Sequence, residues 1–289
     1  MQVGRLVVIG VGLIGGSAAL ALRRAGLVTH VCGLGRSRDN LDAALRLGIV
    51  DTVSDDYARA LAGADIVLVT TPVAQMPAVF ERIAPSLEPR TIVTDGGSTK
   101  QDVIAAARTA FRSRFSQFVP AHPIAGTEHT GAAAACAELY QGRKVVLTPE
   151  AETDATALGR VCAMWQAMGG CVSTMSATRH DSIFAAVSHL PHLLAFALVE
   201  ELATRPDARE YFDFAAGGFR DFTRIASSSP EMWRDIALAN REALLLELRG
   251  YQGQLQRLQD LLAKADGPGL TEMFATARSA RNDWLARQS

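Results

Sequence analysis

A histidine followed by proline, His122-Pro123, opens the segment AHPIAGTEHTG directly after the apolar run Phe118-Val119. A side chain that titrates near neutrality, set just past a strand and stiffened on its exit by proline, is suited to move a proton. Thr127 and Glu128 follow closely on the same segment. Upstream, DGGSTK at 95–100 places Ser98 after two glycines that free the backbone, and its hydroxyl can hydrogen-bond a substrate oxygen. Downstream, GGFRDFTRIA offers Arg220, Asp221 and Arg224. The two arginines are spaced to share one helix face and would receive a dicarboxylate if that face lines a cleft. Plain structural uses stand beside these readings: a buried core histidine, and a solvated i,i+4 arginine pair. His189 and His192 in SHLPHLLAFAL bring two imidazoles to one helix start, but no carboxylate or cysteine sits at ligand spacing, so no metal site is expected.

Such residues need a scaffold, and the N-terminus supplies one. The run Leu6-Val7-Val8-Ile9 feeds into GVGLIGGS at 10–17 and then an alanine- and leucine-rich segment, which predicts strand, glycine turn and helix. Gly10 would take the turn, Gly12 would let a pyrophosphate approach the backbone, and Gly15 would let the helix pack on the strand. Leu13 and Ile14 then open the helix, whose free N–H groups form an anion site to which the Ser17 hydroxyl could add a donor. A second strand around 28–34 ends in Gly35-Arg36-Ser37-Arg38, with no carboxylate to hold a ribose 2′-OH. Arg36 could pair with a 2′-phosphate through its planar fork while Ser37 and the local backbone donate further bonds. NADP is therefore the preferred cofactor, with NAD left open. After the fourth strand, Thr70-Thr71-Pro72-Val73 offers small groups to lie beside a nicotinamide or its ribose.

The elements around these motifs predict two domains. Strand-like runs at Ile66-Val69, Thr91-Thr94, Phe118-Val119 and Val145-Leu147 alternate with helix-compatible segments, the pattern of a largely parallel doubly wound α/β sheet. A last strand is expected near Cys171-Met175 and only helices beyond it, giving a dinucleotide-binding domain at 1–176 and a helical domain at 177–289. Leu244, Leu248, Tyr251, Leu255, Leu258 and Leu262 form a heptad-like seam that wants a partner helix, from a homodimer or from the same chain. Gly267-Pro268-Gly269 is expected to end that helix.

Bulk properties narrow the classes. With 289 residues, 48% of them hydrophobic, the chain can bury a core in each domain. A formal net charge of -1 gives no basic excess for nucleic acid or an anionic membrane. The first strand begins near Met1 and no apolar run approaches the ~20 residues of a span, so neither signal peptide nor membrane segment is expected and the location reads as cytoplasmic. Cys32, Cys136, Cys162 and Cys171 are far apart, without a C-x-x-C pair, and read as buried reduced thiols.

Taken in order, GVGLIGGS, DGGSTK, HPIAGTE, SHLPHLLAFAL and GGFRDFTRIASSSPEMWRDI resemble the prephenate and arogenate (cyclohexadienyl) dehydrogenase family of tyrosine biosynthesis, over almost the whole chain. The resemblance implies a Rossmann-type domain followed by a helical dimerisation domain, and oxidative decarboxylation of prephenate or arogenate with hydride passing to a nicotinamide. It implies that His122 takes the ring hydroxyl proton, that Ser98 contacts the same hydroxyl, and that Arg224 binds a substrate carboxylate. Arg220, Thr127 and His192 would lie near the side chain, with Glu128 and Asp221 shaping access. The chain departs from NAD-using members after the second strand, and it is expected to lack a chorismate mutase extension and a regulatory domain, so any tyrosine inhibition should act at the active site. The rivals are a cleft dehydrogenase of the β-hydroxyacid or pyrroline carboxylate type, which would lack HPIAGTE with a downstream FRDFTRIA, and a non-catalytic NADP-sensing module.

Overall fold

The computed structural model of the chain describes residues 2–127 and 129–287. Its first part alternates strictly: β1 (Val3–Ile9), α1 (Leu13–Arg24), β2 (Val28–Leu34), α2 (Arg38–Arg46), β3 (Thr52–Val53), α3 (Tyr57–Leu61), β4 (Ile66–Val69), α4 (Met76–Ile83), β5 (Ile92–Asp95), α5 (Gln101–Phe111) and β6 (Phe118–Val119). All six strands pair in parallel, in the order β3-β2-β1-β4-β5-β6. Successive residues of β1 face opposite sides, Leu6 and Val8 into one core and Val7 and Ile9 into the other, because helices cover both faces. That is why these strands read as continuous apolar runs rather than alternating ones.

Strand order reverses between β1 and β4, which opens a crevice beyond their carboxyl ends. Register brings the loop starts side by side there. Ile9 is level with Leu34 and Val69, and Val69 with Asp95, so Gly10, Gly35, Thr70 and Gly96 line one edge. The N–H groups of Gly10, Thr70 and Gly96 continue the ladder to the carbonyls of Leu34, Ile9 and Val69.

The chain then departs from the single sheet expected. β7 (Ala121–Pro123), β8 (Lys144–Leu147) and β9 (Cys171–Thr174), with α6 (Ala155–Ala167) between the last two, form a separate three-stranded sheet. β7 and β8 are antiparallel, β8 and β9 parallel. His122 therefore does not sit in a loop after the sixth strand. It is the middle residue of β7, level with Val146. Pro120, which cannot donate to a ladder, separates β6 from β7 and lets the chain change sheets.

From Ala177 onward the described residues are helical: α7 (Ala177–Phe184), a π-helical segment at Ala185–His189, α8 (Leu190–Ala203), α9 (Ala208–Asp213), α10 (Gly217–Thr223), α11 (Pro230–Ala239), α12 (Arg241–Ala263) and α13 (Gly267–Ala286). Ser176 caps α7 by accepting the Arg179 N–H at 3.2 Å, and Ser229 caps α11 by accepting that of Met232 at 3.3 Å. Contrary to the expectation of no long apolar run, the continuous helix Ala177–Ala203 is long and apolar enough to span a membrane by length and composition. It nevertheless carries His180, Asp181 and His189 buried and hydrogen-bonded.

The chain separates into two compact units, Met1–Arg241 and Glu242–Ser289. In the second, α12 does not end at Gly267-Pro268-Gly269. It ends at Ala263, and those three residues start α13, where proline's missing N–H costs nothing and Asp266 accepts the Gly269 N–H at 2.9 Å. Of the leucine seam, Leu255 and Leu262 are 47% and 61% exposed, so much of its surface is apolar and open in a single chain. The cysteines are free, but only Cys32 is buried; Cys136 and Cys171 are exposed, contrary to expectation, because one lies in a surface turn and the other on the outer strand β9.

Candidate active site

The glycine turn has three different reasons for its three glycines. Gly10 has a φ of 97°, in the left-handed region, and a Cβ there would lie 2.8 Å from the Thr70 carbonyl carbon. A Cβ on Gly15 would lie 2.4 Å from Thr70 Oγ1, 2.6 Å from Val8 Cγ1 and 2.7 Å from the Gly10 carbonyl, so only glycine lets α1 sit this close. Gly12 differs: a Cβ there meets nothing within 4 Å and would project into open space at the start of α1. No side chain caps α1 and no acidic residue stands in its first turn, which leaves its N–H groups and positive dipole end to a ligand.

The neighbouring loops complete a cradle that fits a dinucleotide. Thr70 donates to the Gly10 carbonyl at 2.8 Å and fixes the loop after β4, where Thr71 Oγ1 is buried without a partner among the described residues and Pro72 is exposed. Leu13 and Ile14 are half-buried at the helix start. Ile14's carbonyl accepts the Tyr140 hydroxyl at 2.6 Å. Gly35, Arg36 and Ser37 are exposed beyond β2, and Ser37 also caps α2 by accepting the Asn40 N–H at 3.2 Å.

Ser17 is not placed to help. It is fully buried and accepts the Cys136 N–H at 2.9 Å, because it lies on the face of α1 turned toward the protein. Asn40, which the sequence did not single out, ties the turn down by donating to the Val11 carbonyl at 2.7 Å and accepting the Ala132 N–H at 2.8 Å.

Asp95 and Lys100 form a buried ion pair, each side chain 0% exposed, at the end of β5. Asp95 also accepts the N–H groups of Gly97 at 2.8 Å and Ala121 at 3.0 Å, while Lys100 Nζ donates to the Ala121 carbonyl at 2.8 Å. Both backbone groups of Ala121 are thus clamped, and with them the position of His122. Gly96 is pressed against Thr70, Ile14 and Pro123, so the glycine turn, the β4 loop, the Ser98 loop and β7 converge. Ser98 itself is half-buried on this loop.

Behind His122 lies a chain of polar groups. Its Nδ1 is 2.8 Å from His180 Nε2, and His180 Nδ1 is 2.8 Å from Asp181 Oδ1. Phe184 packs on both rings, with centroids at 4.9 and 4.5 Å. Burial, reinforced by His180, Lys100 and His189, holds His122 well below the usual histidine value. Burial likewise lowers His180, with Lys100 adding to it and Asp181 opposing. For Asp181 burial works upward, but hydrogen bonds from His180 and from the Gln101 and Lys100 N–H groups outweigh it and hold the carboxyl low. His180 and Asp181 were missed in the sequence because their partners His122 and Lys100 are 58 and 81 residues away. The adjacent His180-Asp181 pair at the start of a long apolar helix was the available signal.

The network continues into the helices. Asn240 donates to the Asp181 carbonyl at 2.8 Å and lies 3.0 Å from His189 Nδ1. Burial drives His189 down to about 4. His192 donates to the Ser188 carbonyl at 2.8 Å and stacks on Trp233 at 3.6 Å between centroids. Its pKa is lowered by burial and further by the charge of Arg224. Arg220 and Arg224 line an open hollow of about 380 Å³ together with Ala215, Phe219, Thr223 and Ser227. They do so from two different turns, since α10 stops at Thr223 and Arg224 begins a 3₁₀ segment. Asp221 is exposed and outside that hollow, because it projects from another face of α10. Thr127 lies exposed in the loop after β7, its hydroxyl accepting the His129 N–H, and Glu128 falls outside the described residues. Among the described residues there is no cluster of metal-ligating side chains.

Residues 18–174 match the family of the prephenate dehydrogenase nucleotide-binding domain, and residues 176–276 that of the prephenate dehydrogenase dimerization domain. A cyclohexadienyl dehydrogenase of Zymomonas mobilis is 38% identical, with 96% of this chain and 94% of that protein aligned. A prephenate dehydrogenase of Bacillus subtilis is 35% identical over 98% of this chain and 76% of its own length. Among solved structures, prephenate dehydrogenase of A. aeolicus in complex with hydroxyphenyl propionate and NAD+ superimposes with a TM-score of 0.92 at 35% identity, covering 98% of this chain and 99% of that one. With a nucleotide-binding sheet, a helical dimerisation domain and relatives of this similarity, the chain belongs to the prephenate dehydrogenase family.

Proposed function

We propose that this chain catalyses the oxidative decarboxylation of prephenate, arogenate or both, giving 4-hydroxyphenylpyruvate or tyrosine. One observation carries the reading: His122, clamped at the crevice edge beside the Ser98 loop, has Nδ1 engaged behind it and Nε2 free of any hydrogen bond among the described residues. A nicotinamide dinucleotide held along the glycine turn would accept the hydride that leaves the substrate's carbinol carbon. His122 Nε2 accepts the proton of the ring hydroxyl, and Ser98 hydrogen-bonds the same oxygen and orients it. As hydride leaves the carbinol carbon, that carbon becomes a carbonyl; the carbon–carboxylate bond then breaks to release carbon dioxide, its electron pair enters the ring, and the carbonyl oxygen, now that of the aromatic product, takes the proton back. Arg224 holds a substrate carboxylate, with Arg220, Thr127 and His192 about the side chain and Glu128 and Asp221 at the approach.

Arg36 favours NADP over NAD, because a guanidinium in place of the expected carboxylate at the end of β2 suits a 2′-phosphate. The solved relative with NAD+ keeps NAD in the test. Two chains pair through the helical domain, covering the exposed apolar residues of α12. A cytoplasmic location goes with the reading, since the apolar helix Ala177–Ala203 is occupied with the site's buried polar network. If tyrosine inhibits, it does so at the active site, competing with substrate through its likeness to the product.

Steady-state reduction of NADP and of NAD with prephenate and with arogenate tests the proposal in four assays. Turnover in any of them is expected, with rates that assign substrate and cofactor; silence in all four refutes it. His122→Asn should lower kcat by about 10²–10⁴-fold with little change in KM, as loss of a proton acceptor does.

A further inference from the structure

Two buried residues behind the site have no task in the reaction as just read, yet their geometry dictates which nitrogen of His122 is free. Asp181 is surrounded by donors. Its Oδ1 accepts the Lys100 N–H at 2.9 Å and its Oδ2 the Gln101 N–H at 2.9 Å and Gln101 Nε2 at 3.2 Å. A carboxylate so placed can only accept, so His180 Nδ1 must donate to it. In a neutral imidazole the other nitrogen is then bare, so His180 Nε2 must accept and His122 Nδ1 must donate. Burial and the Lys100 ammonium favour the neutral form of His180. Those groups, with Asp95 and His189, are the charged and titratable neighbours of the pair.

We propose that His180 and Asp181 are positioning residues that fix the tautomer of His122, holding its proton on Nδ1 so that Nε2 presents a lone pair to the substrate hydroxyl. The inference rests on the reading of His122 as the proton acceptor. Without the relay, the ring has two neutral tautomers and two flipped orientations, and only some combinations present a lone pair. With it, the hydroxyl O–H bond breaks toward a nitrogen already aimed, the electron pair stays on oxygen, and the carboxylate at the far end steadies the positive charge left on the imidazoles.

Two measurements on the full-length protein test this. Nitrogen-15 spectra of histidine-labelled protein, assigned with His122→Asn and His180→Gln, read the tautomer directly and need no substrate. A protonated Nδ1 and a bare Nε2 on His122 are expected; a proton on Nε2 overturns the proposal. In turnover, His180→Gln retains an acceptor near the position of Nε2 and should stay within about 3-fold of the parent kcat, whereas His180→Phe keeps a ring but no acceptor and should lose about 10–100-fold in kcat with KM nearly unchanged. The opposite order, Phe better than Gln, would mean that the ring only fills space, and overturns the proposal. If His180→Phe does not fold, the spectrum of the parent protein decides. If neither substrate is turned over, the functional reading fails while the spectrum still answers for the tautomer.

Discussion

The glycine turn offers a test in which two neighbouring substitutions should separate folding from cofactor binding. In Gly15→Ala the new Cβ falls 2.4–2.7 Å from Thr70 Oγ1, Val8 Cγ1 and the Gly10 carbonyl, all about 1 Å inside ordinary contact, and the carbonyl belongs to a turn that Thr70 holds in place. Overpacking of this kind costs about 3 kcal/mol, and alanine's better helix propensity returns about 1, leaving roughly 2 kcal/mol. At roughly 2–4 °C per kcal/mol, the melting temperature should fall by about 4–8 °C. In Gly12→Ala the backbone at φ -112° and ψ -155° accepts alanine and the Cβ meets nothing, so the cost is the weaker N-cap preference, under about 1 kcal/mol. The same Cβ, however, enters the space through which a pyrophosphate reaches the helix N–H groups. Loss of one charge-assisted hydrogen bond, about 1.5–3 kcal/mol, raises the dinucleotide Kd by roughly 10–150-fold. Thermal unfolding by circular dichroism and cofactor titration by calorimetry give the two numbers for each variant. Wild-type cofactor affinity in Gly12→Ala would refute the placement of the phosphates, and an unchanged melting temperature in Gly15→Ala would refute the packing argument.

Three further outcomes follow from the site. Arg36→Gln should raise KM for NADP by about 10-fold or more while leaving NAD nearly unaffected, since only the 2′-phosphate meets the guanidinium; an unchanged ratio of kcat/KM removes the NADP preference. Lys100→Met leaves the fully buried Asp95 without its cation and should cost about 3–5 kcal/mol in urea unfolding, so a loss under about 1 kcal/mol would contradict the clamp. Stability should also fall as pH drops below 6.5. Four histidines, at 122, 180, 189 and 192, have folded values below the unfolded one, so the unfolded chain takes up protons first. Their contribution is complete above about 6.5 and is lost toward lower pH, for His189 down to about 4, at up to about 1.4 kcal/mol per pH unit for each histidine. Urea midpoints that rise between pH 7.5 and 5.5 would show the opposite sign.

What could be read from the sequence was whatever repeats along the chain or is imposed by backbone geometry. The apolar runs of β1, β2 and β4, buried on both faces, announced the parallel sheet, and the glycine spacing located its crevice. The second sheet was not legible, because β7 has three residues and its partner β8 lies over twenty residues on, across a segment with no periodic signal. The Gly-Pro-Gly at 267–269 was misread because the same residues that stop a helix also start one, and only Asp266's hydrogen bond to Gly269 decides between them. The place of Ser17 in the motif suggests a further donor to the phosphates, whereas the face it occupies is set by packing against the segment around Cys136. His180, Asp181, Asn240 and Trp233 escaped for a common reason: each acts through a contact remote in sequence.

Asp181 joins these remote contacts in a way that explains why the site is where it is. α5 begins at Gln101 with no side chain of its own capping it, and Lys100, its N-cap residue, is occupied with Asp95. The missing cap comes from α7, where Asp181 accepts the Lys100 and Gln101 N–H groups at 2.9 Å each. A negative charge at that end of the helix is favoured by the dipole as well as by the hydrogen bonds. One carboxylate therefore locks the first helix after β9 onto the loop after β5 and orients the histidine behind the proton acceptor. Replacing Asp181 would disturb folding and catalysis together, since the cap and the relay share its oxygens. The division of labour is cleaner at His180, whose ring nitrogens face His122 and Asp181 and whose side chain caps no helix, and that is why the tautomer can be tested there without dismantling the scaffold.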